Sequence, residues 1–514
     1  MRIRMKYFAV TFFIVIVTMI SFWMSYSLFM DTRGFPHVHV SISIMAGKVV
    51  NETQIMRRQF QSSTGSSELN DTPPPKSDHT GISELNNTSP YKSDHTGNFS
   101  SECPGLVPPL NFRDEQKWLP VENENRMFVF SAYYDEIDGK PYIRLIGLGL
   151  DEFQLIFCHL WFSTTHSKHN FLAIIKGKTT LIADGCSKRY QEVYFLCPLP
   201  NDAVPYAVSI VTTKCQEPLN SLLVQTWTQK VEDKRNFTVC VSPLNMNYSR
   251  AYEIVEWLEL NRILGADYFL IYNYSSAFNI RKVLKLYSDR GLMEVIQWPL
   301  PMHVDTWPPS DKTPEVTYFG QKAALNDCLY RSRPNTKFLI NVDVDEFIIP
   351  RGNRSYKWVD MLKQLPEASG YIIRQTFFRK DWPDYRGTNN KSLVSASYVN
   401  DIDRYSLVTL KKLQRESGIL PDGQRSKYIV KVNDAVSIRV HDIWQYRKGQ
   451  NSHVVDPSIG LLHHYRNWFK PHEGTKVLDT RMLLYQDELV HQIRSIWSKL
   501  ESVPLDLLTV DKNL

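Results

Sequence analysis

Three carboxylates crowd one short stretch of the chain. Residues 337–347 read Lys-Phe-Leu-Ile-Asn-Val-Asp-Val-Asp-Glu-Phe, which places Asp343, Asp345 and Glu346 directly after an apolar run. Phe338, Leu339 and Ile340 suit a strand buried on both faces, and the chain turns apolar again at Phe347 before Pro350. Carboxylates gathered at the end of a buried strand repel one another and lose hydration unless a cation sits among them. A hard divalent ion is the expected occupant, because Mg²⁺ and Mn²⁺ take oxygen ligands and share them with substrate phosphates. The triplet alone is weak evidence, since at about 5% Asp an Asp-x-Asp arises about once by chance in such a chain. The sequence holds its own control: Asp401-Ile402-Asp403 has the same spacing with no buried strand before it.

The elements that must position these groups begin at Phe237. A strand is expected over 237–241, then a helix N-capped by Ser249 and ended by Gly265, with Ile254, Val255 and Leu258 on one face. A strand over 267–272 follows. Asn279 opens a second helix closed by Gly291, 293–298 is a third strand, Thr317 starts a third helix, and 337–342 is a fourth strand. This alternation predicts a parallel sheet with helices on both faces, whose ligands bind at the carboxyl ends of the strands.

Upstream, residues 118–231 break into short β-branched and aromatic runs separated by Gly, Asp and Asn, the pattern of a small antiparallel β domain. His159, His166 and His169 read there as surface or satisfied histidines. The seven cysteines all follow residue 100, four of them between 158 and 215, and no Cys-x-x-Cys occurs. That excludes a zinc ribbon or thioredoxin motif and predicts at least one disulfide in that segment, with one thiol left over. Residues 31–105 are a polar, Pro-containing stem in which SELNDTPPPKSDHTG recurs as SELNNTSPYKSDHTG, with sequons at Asn51, Asn70, Asn86 and Asn98. Further sequons occur at Asn236, Asn247, Asn273, Asn353 and Asn390. Asn273, at the end of a buried strand, is expected to stay unmodified.

Residues 7–30 carry no charge and follow Arg2, Arg4 and Lys6, which predicts an uncleaved anchor with its N-terminus in the cytosol. The expected organisation is a tail at 1–6, an anchor at 7–30, a stem at 31–105, a β-rich domain at 106–232 and an α/β catalytic domain at 233–514. With 514 residues, 43% hydrophobic content, a net charge of +6 and no basic block, the chain has room for these parts and gives no sign of a nucleic-acid partner.

Several short motifs occur in a fixed order: Ser131-Ala132-Tyr133-Tyr134, Cys158-His159-Leu160-Trp161, Glu256-Trp257, Gly265-Ala266-Asp267, the Asp343–Phe347 segment, Arg425-Ser426-Lys427-Tyr428-Ile429-Val430 and His463-His464-Tyr465-Arg466. Together they resemble glycosyltransferase family 92, over about residues 125–470. The resemblance implies a GT-A type half-Rossmann sheet and inverting transfer from a UDP-sugar by a Golgi enzyme with a lumenal catalytic domain. It also implies galactose as the transferred sugar, joined β1,4 to N-glycans.

On that reading a divalent ion, Mn²⁺, offsets charge on the departing diphosphate. Asp345 is its first expected ligand, Asp343 shares the ion or holds the ribose, and Glu346 supports them. A late histidine completes such sites; His441 is the best placed, with His463 and His464 as rivals. Arg425 and Lys427 are expected against phosphate oxygens. Inversion needs a base on the far side of the sugar. Asp381 is favoured, with Asp384, Glu416 and Asp403 as alternatives, and Trp382 is expected to stack on a sugar. The competing reading is a lumenal lectin-like protein, which would bind glycans without transferring them. A glycoside hydrolase would need two carboxylates flanking its bond and no nucleotide.

Overall fold

The computed structural model describes residues 103–507, apart from 108–115, 138, 151–154, 164–169, 186–187, 201, 227–233, 307–310, 353, 386, 389–390 and 468–473. The anchor, residues 31–102 of the stem with its repeats and sequons, His166, His169, Cys186, Asn353 and Asn390 lie outside the described residues. Among the described residues no helix is long and apolar enough to cross a membrane.

Two sheets dominate. The first is built from β1 (Leu119–Pro120), β2 (Met127–Ile137), β3 (Lys140–Gly149), β4 (Leu155–Ser163), β5 (Asn170–Leu181), β6 (Gln191–Pro198), β7 (Ala207–Val211) and β8 (Leu222–Gln225), in the order β1-β2-β3-β6-β5-β4-β7-β8. Its ladders are antiparallel except where β8 returns parallel to β2, Ala132 facing Val224 and Tyr133 facing Gln225. That contact closes the sheet into a barrel and removes its open edges, so the expected antiparallel domain is a closed one. Val129, Leu145, Ile156, Leu160, Val193 and Val208 fill its interior.

The second sheet contains β9 (Arg235–Leu244), β10 (Tyr268–Asn273), β11 (Met293–Gln297), β12 (Thr336–Asn341), β14 (Gly370–Ile373), β16 (Lys427–Lys431) and β17 (Ser452–Val455), ordered β11-β10-β9-β12-β16-β14-β17. β9 to β12 are mutually parallel, as the βα alternation predicts, but β16 runs antiparallel to both β12 and β14. The sheet is therefore mixed. A smaller sheet of β13 (Glu346–Pro350), β15 (Gln375–Arg379) and β18 (Gly460–Arg466) stands beside it. The strand-like run at 371–378 thus divides, β14 joining one sheet and β15 the other.

Alternation of side chains along β9, β10 and β12 assigns the two faces. Val239, Val241, Phe269, Ile271 and Ile340 pack with helices α1 (Ala251–Leu264) and α2 (Phe278–Asp289). Cys240, Leu270, Tyr272 and Leu339 pack with α3 (Gln321–Ser332) and with the barrel residues Phe128, Phe130, Ile146 and Leu148. The second face is therefore covered by one helix and the barrel. Asp327 of α3 ties them, accepting from Tyr133 Oη at 2.6 Å, Tyr272 Oη at 2.5 Å and the Ser131 hydroxyl.

Helix ends differ from expectation. Ser249 does not cap α1; Arg250 holds that position, and the Ser249 hydroxyl donates instead to Asp506. Gly265 ends α1 with φ 124°, as expected. Asn279 lies inside α2, where its Nδ2 donates to the Ser249 carbonyl at 2.6 Å. Thr317 opens no regular helix, because Tyr318, Phe319 and Gly320 are all left-handed and α3 starts at Gln321. Disulfides join Cys103 to Cys215, Cys158 to Cys197 and Cys240 to Cys328. Cys158–Cys197 fastens the barrel, and Cys240–Cys328 ties β9 to α3.

Candidate active site

The apolar β12 ends at Asn341, and the three carboxylates emerge where its neighbour β9 also ends. A tight turn follows: Glu346 N donates to the Asp343 carbonyl at 3.0 Å, and Asp343 N donates to Glu346 Oε2 at 2.9 Å. The cation that this cluster requires is supplied in part by the chain. β16 pairs Tyr428 with Asn341, so Lys427 falls beside the start of the turn. Its ammonium is completely buried, 2.8 Å from Asp343 Oδ2 and 3.2 Å from Glu346 Oε2. Those two carboxylates raise its pKa despite the opposing effect of burial. Asp343 in turn is brought down to about 2; burial opposes this, but Lys427 and the Ser242 hydroxyl, donating to Oδ1 at 2.9 Å, outweigh it.

His464 is the second partner. The β13–β18 register puts it opposite Glu346, with Nδ1 3.2 Å from Glu346 Oε1 and Nε2 3.4 Å from Asp345 Oδ2. Burial disfavours its charged form, but Glu346 and Asp345 together raise its pKa, and the same contact lowers that of Asp345. Next to them Glu253, in the first turn of α1, holds Lys380 at 2.6 Å and Arg250 at 3.0 Å, both within electrostatic reach of Asp345. The carboxylates thus lie among Lys427, His464, Lys380 and Arg250.

His441 is close enough to feel the charges of both Lys427 and Asp343, and burial takes its pKa down to about 4. Its Nδ1 lies 3.3 Å from the Ser426 carbonyl, which can only accept, so Nδ1 carries the proton and Nε2 keeps the lone pair. It ends no strand; residues 439–442 form a turn closed by Arg439 N donating to the Asp442 carbonyl at 2.8 Å. Asn341 Nδ2 donates to the Val440 carbonyl at 3.0 Å, which fixes this turn to the end of β12. His463 is otherwise committed: it is buried, with Nε2 3.1 Å from Arg351, and its pKa falls to about 3.

Among the described residues no three His, Cys, Asp or Glu side chains are gathered as a ready-made metal cage. The donors that face Asp343 nevertheless suit a hard ion shared with a phosphate. The Asp343 and Asp345 carboxylates are ionised and about one-third exposed, and the His441 imidazole is neutral.

Arg425 has φ 53° and lies near Arg466, Glu346 and Tyr318; burial and Arg466 lower its pKa. The left-handed run ending at Gly320 delivers Gln321, whose Nε2 donates to the Ser242 hydroxyl that holds Asp343. Non-glycine residues in that conformation cost about 1–3 kcal/mol each and concentrate at functional sites.

Asp381 lies on the loop after β15, next to Lys380, which is in electrostatic reach of Asp345. Arg379 grips Asp381 with two hydrogen bonds of 2.9 and 3.1 Å and lowers its pKa. Its alternatives are also paired, Asp384 with Lys412 at 2.7 Å, Glu416 with Arg379 at 3.5 Å and Asp403 with Lys411 at 3.3 Å. Trp382 is buried under Lys476 and Arg379 and offers no open face to a sugar, contrary to expectation. Sequence reasoning missed Ser242, Glu253, Gln321 and Lys380. An acidic residue in a first helical turn is ordinary, and nothing in the order of residues showed that Glu253 gathers two cations.

The family model for glycosyltransferase family 92 matches residues 235–495, which contain every side chain of this cluster. The chain belongs to glycosyltransferase family 92. Two curated family relatives come from Caenorhabditis elegans. Beta-1,4-galactosyltransferase galt-1 is 26% identical over 262 residues, 45% of this chain and 55% of the relative. Family 92 protein F59C6.8 is 20% identical over 48% of this chain and 44% of its own length. The chain therefore spans about half the length of the curated relatives it matches. Among solved structures, S. aureus TarS 1-349 in complex with UDP-GlcNAc overlaps at a TM-score of 0.25 and 10% identity, over 53% of this chain and 68% of that one. GalNAc-T7 with UDP, GalNAc and Mn2+ gives the same TM-score and identity over 55% and 54%. The segment matched by the family model lies on the mixed α/β sheet described above.

Proposed function

We propose that this family 92 glycosyltransferase is a Golgi type II membrane enzyme of GT-A type. It transfers galactose, with inversion, from UDP-galactose to an N-glycan in β1,4 linkage. The observation that carries the reading is the ionised Asp343–Asp345 pair at the carboxyl end of a parallel strand, bordered by Lys427, Lys380, Arg250 and neutral His441. This is where an open α/β sheet binds its ligand. Galactose and the β1,4 linkage rest on the similarity to galt-1. The Golgi placement rests on the uncharged 7–30 segment behind basic residues and on three disulfides, which require an oxidising compartment.

Asp345, Asp343 and His441 would hold Mn²⁺, whose chemistry is to offset charge on the departing diphosphate. The chain contributes the rest. Lys427 and Ser242 hold Asp343 in one orientation, so the ligand side of the cluster needs no rearrangement when donor arrives. Arg425, with Arg466 in electrostatic reach, adds positive potential on that side of the cluster. Lys380 and Arg250, gathered by Glu253, add positive potential beside Asp345.

Asp381 is the proposed base. Its lowered pKa keeps it ionised and able to accept the acceptor hydroxyl proton, while the Arg379 fork fixes its direction. Asp381→Asn should keep donor and Mn²⁺ affinity and lose turnover. The direct test of the reading is a donor screen with the full-length chain in detergent, each UDP-sugar with Mn²⁺ against arrayed N-glycans. UDP-galactose should give the strongest transfer. Binding of glycans without transfer from any donor would replace this reading with a lectin-like one.

A further inference from the structure

Of the described tryptophans, Trp118, Trp161, Trp257, Trp298, Trp358, Trp382 and Trp497 are all at most 6% exposed, whereas Trp444 is 46% exposed. An isolated exposed apolar side chain needs no special explanation. This one is mounted. The Arg439 guanidinium lies over its ring, 4.2 Å from the centroid. Arg439 is itself held by a two-bond fork on Asp442 and reaches Asp184 of the barrel at 3.5 Å. Trp444 N donates to the Ser437 carbonyl at 3.0 Å. The turn just before it is pinned to the end of β12 by Asn341 on the Val440 carbonyl and to β16 by Tyr428 Oη, which donates to the Arg439 carbonyl at 2.7 Å. An indole fixed in this way has lost its side-chain freedom before any ligand arrives.

Its position relative to the reaction follows from the chain. Trp444 is three positions after His441, so their Cα atoms are within about 11 Å even fully extended. That is the span of roughly two sugar rings. One ring face is covered by Arg439, which leaves the other for a flat partner.

We propose that Trp444 is the platform on which a pyranose ring of the acceptor glycan stacks. The claim rests on the transferase reading above and adds the acceptor side to it. The apolar C–H face of a pyranose matches an indole face, and its hydroxyls can donate to the Asp184 and Asp442 carboxylates at the rim. Charge does not favour the donor here. Asp184 and Asp442 offset Arg439 and Lys322, with Asp184 at 3.5 Å from Arg439 and 4.0 Å from Lys322, so a diphosphate would meet no net positive charge. A neutral glycan needs none.

The test uses the full-length protein in detergent, with Trp444→Ala and Trp444→Phe. The arrayed N-glycan bound most tightly by the unmodified protein serves as probe, and UDP with Mn²⁺ is titrated in parallel by calorimetry. Trp444→Ala should weaken glycan binding and raise the acceptor KM at least tenfold, Trp444→Phe should recover most of the loss, and UDP affinity should hold within twofold in both. Glycan affinity unchanged in Trp444→Ala, or a loss confined to UDP, would overturn the proposal. A protein that binds glycan through Trp444 yet transfers from no donor would sink the transferase reading and leave the platform standing.

Discussion

The chain holds two Asp-x-Asp triplets, and their surroundings make them different objects. Asp401 and Asp403 lie on the short helix α4 (Val399–Arg404), paired with Arg494 and Lys411; the Arg494 side chain is 45% exposed and that of Asp403 is 42% exposed. Asp343 and Asp345 leave the end of a buried parallel strand, where Asp343 meets a lysine with no exposure at all and Asp345 meets His464. Water can screen the first set of charges. In the second, each charge depends on a named protein partner, so the loss of one is felt by all. Spacing of acidic residues therefore says little by itself, whereas a strand end that forces carboxylates against a buried cation constrains both stability and ligand.

The largest way to break this contrast is at Lys427. Lys427→Met should destabilise the fold by about 3–5 kcal/mol, because it leaves Glu346 buried and Asp343 part-buried without their cation. Arg494→Ala, beside the other triplet, should cost less than about 1 kcal/mol. Urea unfolding of both variants compares them directly, and equal midpoints would erase the distinction.

A third carboxylate sharpens it. Glu256 is fully buried and, among the described residues, makes no ion pair, with Lys380 only in electrostatic reach; it accepts from Val408 N and Thr409 N, both at 2.9 Å, and from Thr409 Oγ1 at 2.7 Å. Burial outweighs those bonds and takes its pKa up to about 7. A raised carboxylate stabilises the fold below its unfolded pKa of 4.5, and that contribution is lost as pH rises through 7. A carboxyl held that far above its unfolded pKa corresponds to about 3 kcal/mol. The fall in stability between pH 4.5 and 8 should be smaller by about that amount in Glu256→Gln than in the unmodified protein.

Asp343 has the opposite sign. Its depressed pKa contributes stability that is complete above about pH 4 and lost as pH falls toward 2. Asp343→Asn should therefore flatten the acid limb of the stability profile without altering its slope near neutrality. The smallest effects belong to the control triplet: Asp401→Asn and Asp403→Asn should leave turnover and Mn²⁺ response within twofold of the unmodified enzyme.

Much of the frame was legible because it depends on local pattern. The apolar strands of the parallel sheet, Gly265 at the end of α1 and the carboxylates after Ile340 can all be read from neighbours in the chain. Lys427 was legible as a cation of the site, but its role was misplaced. That it faces two carboxylates rather than a phosphate follows from the antiparallel register of β16 on β12, a long-range pairing. Burial of Trp382 has the same origin, since Lys476 covers it from nearly a hundred residues away. Barrel closure by β8 was missed because four residues of mixed exposure carry no clear alternation. The left-handed Tyr318 and Phe319 were missed because aromatic residues give no local reason to adopt that backbone.

The central claim is that Asp345 acts on the donor diphosphate while Asp401 and Asp403 do not. Its most direct test is steady-state transfer by Asp345→Asn across a Mn²⁺ titration, with a thermal melt to establish folding. Removing a ligand-bearing charge that acts in the transition state should cost several kcal/mol, a loss of at least about a hundredfold in kcat, from a protein that still melts cooperatively. A folded Asp345→Asn enzyme with unchanged turnover and an unchanged Mn²⁺ response would contradict the account.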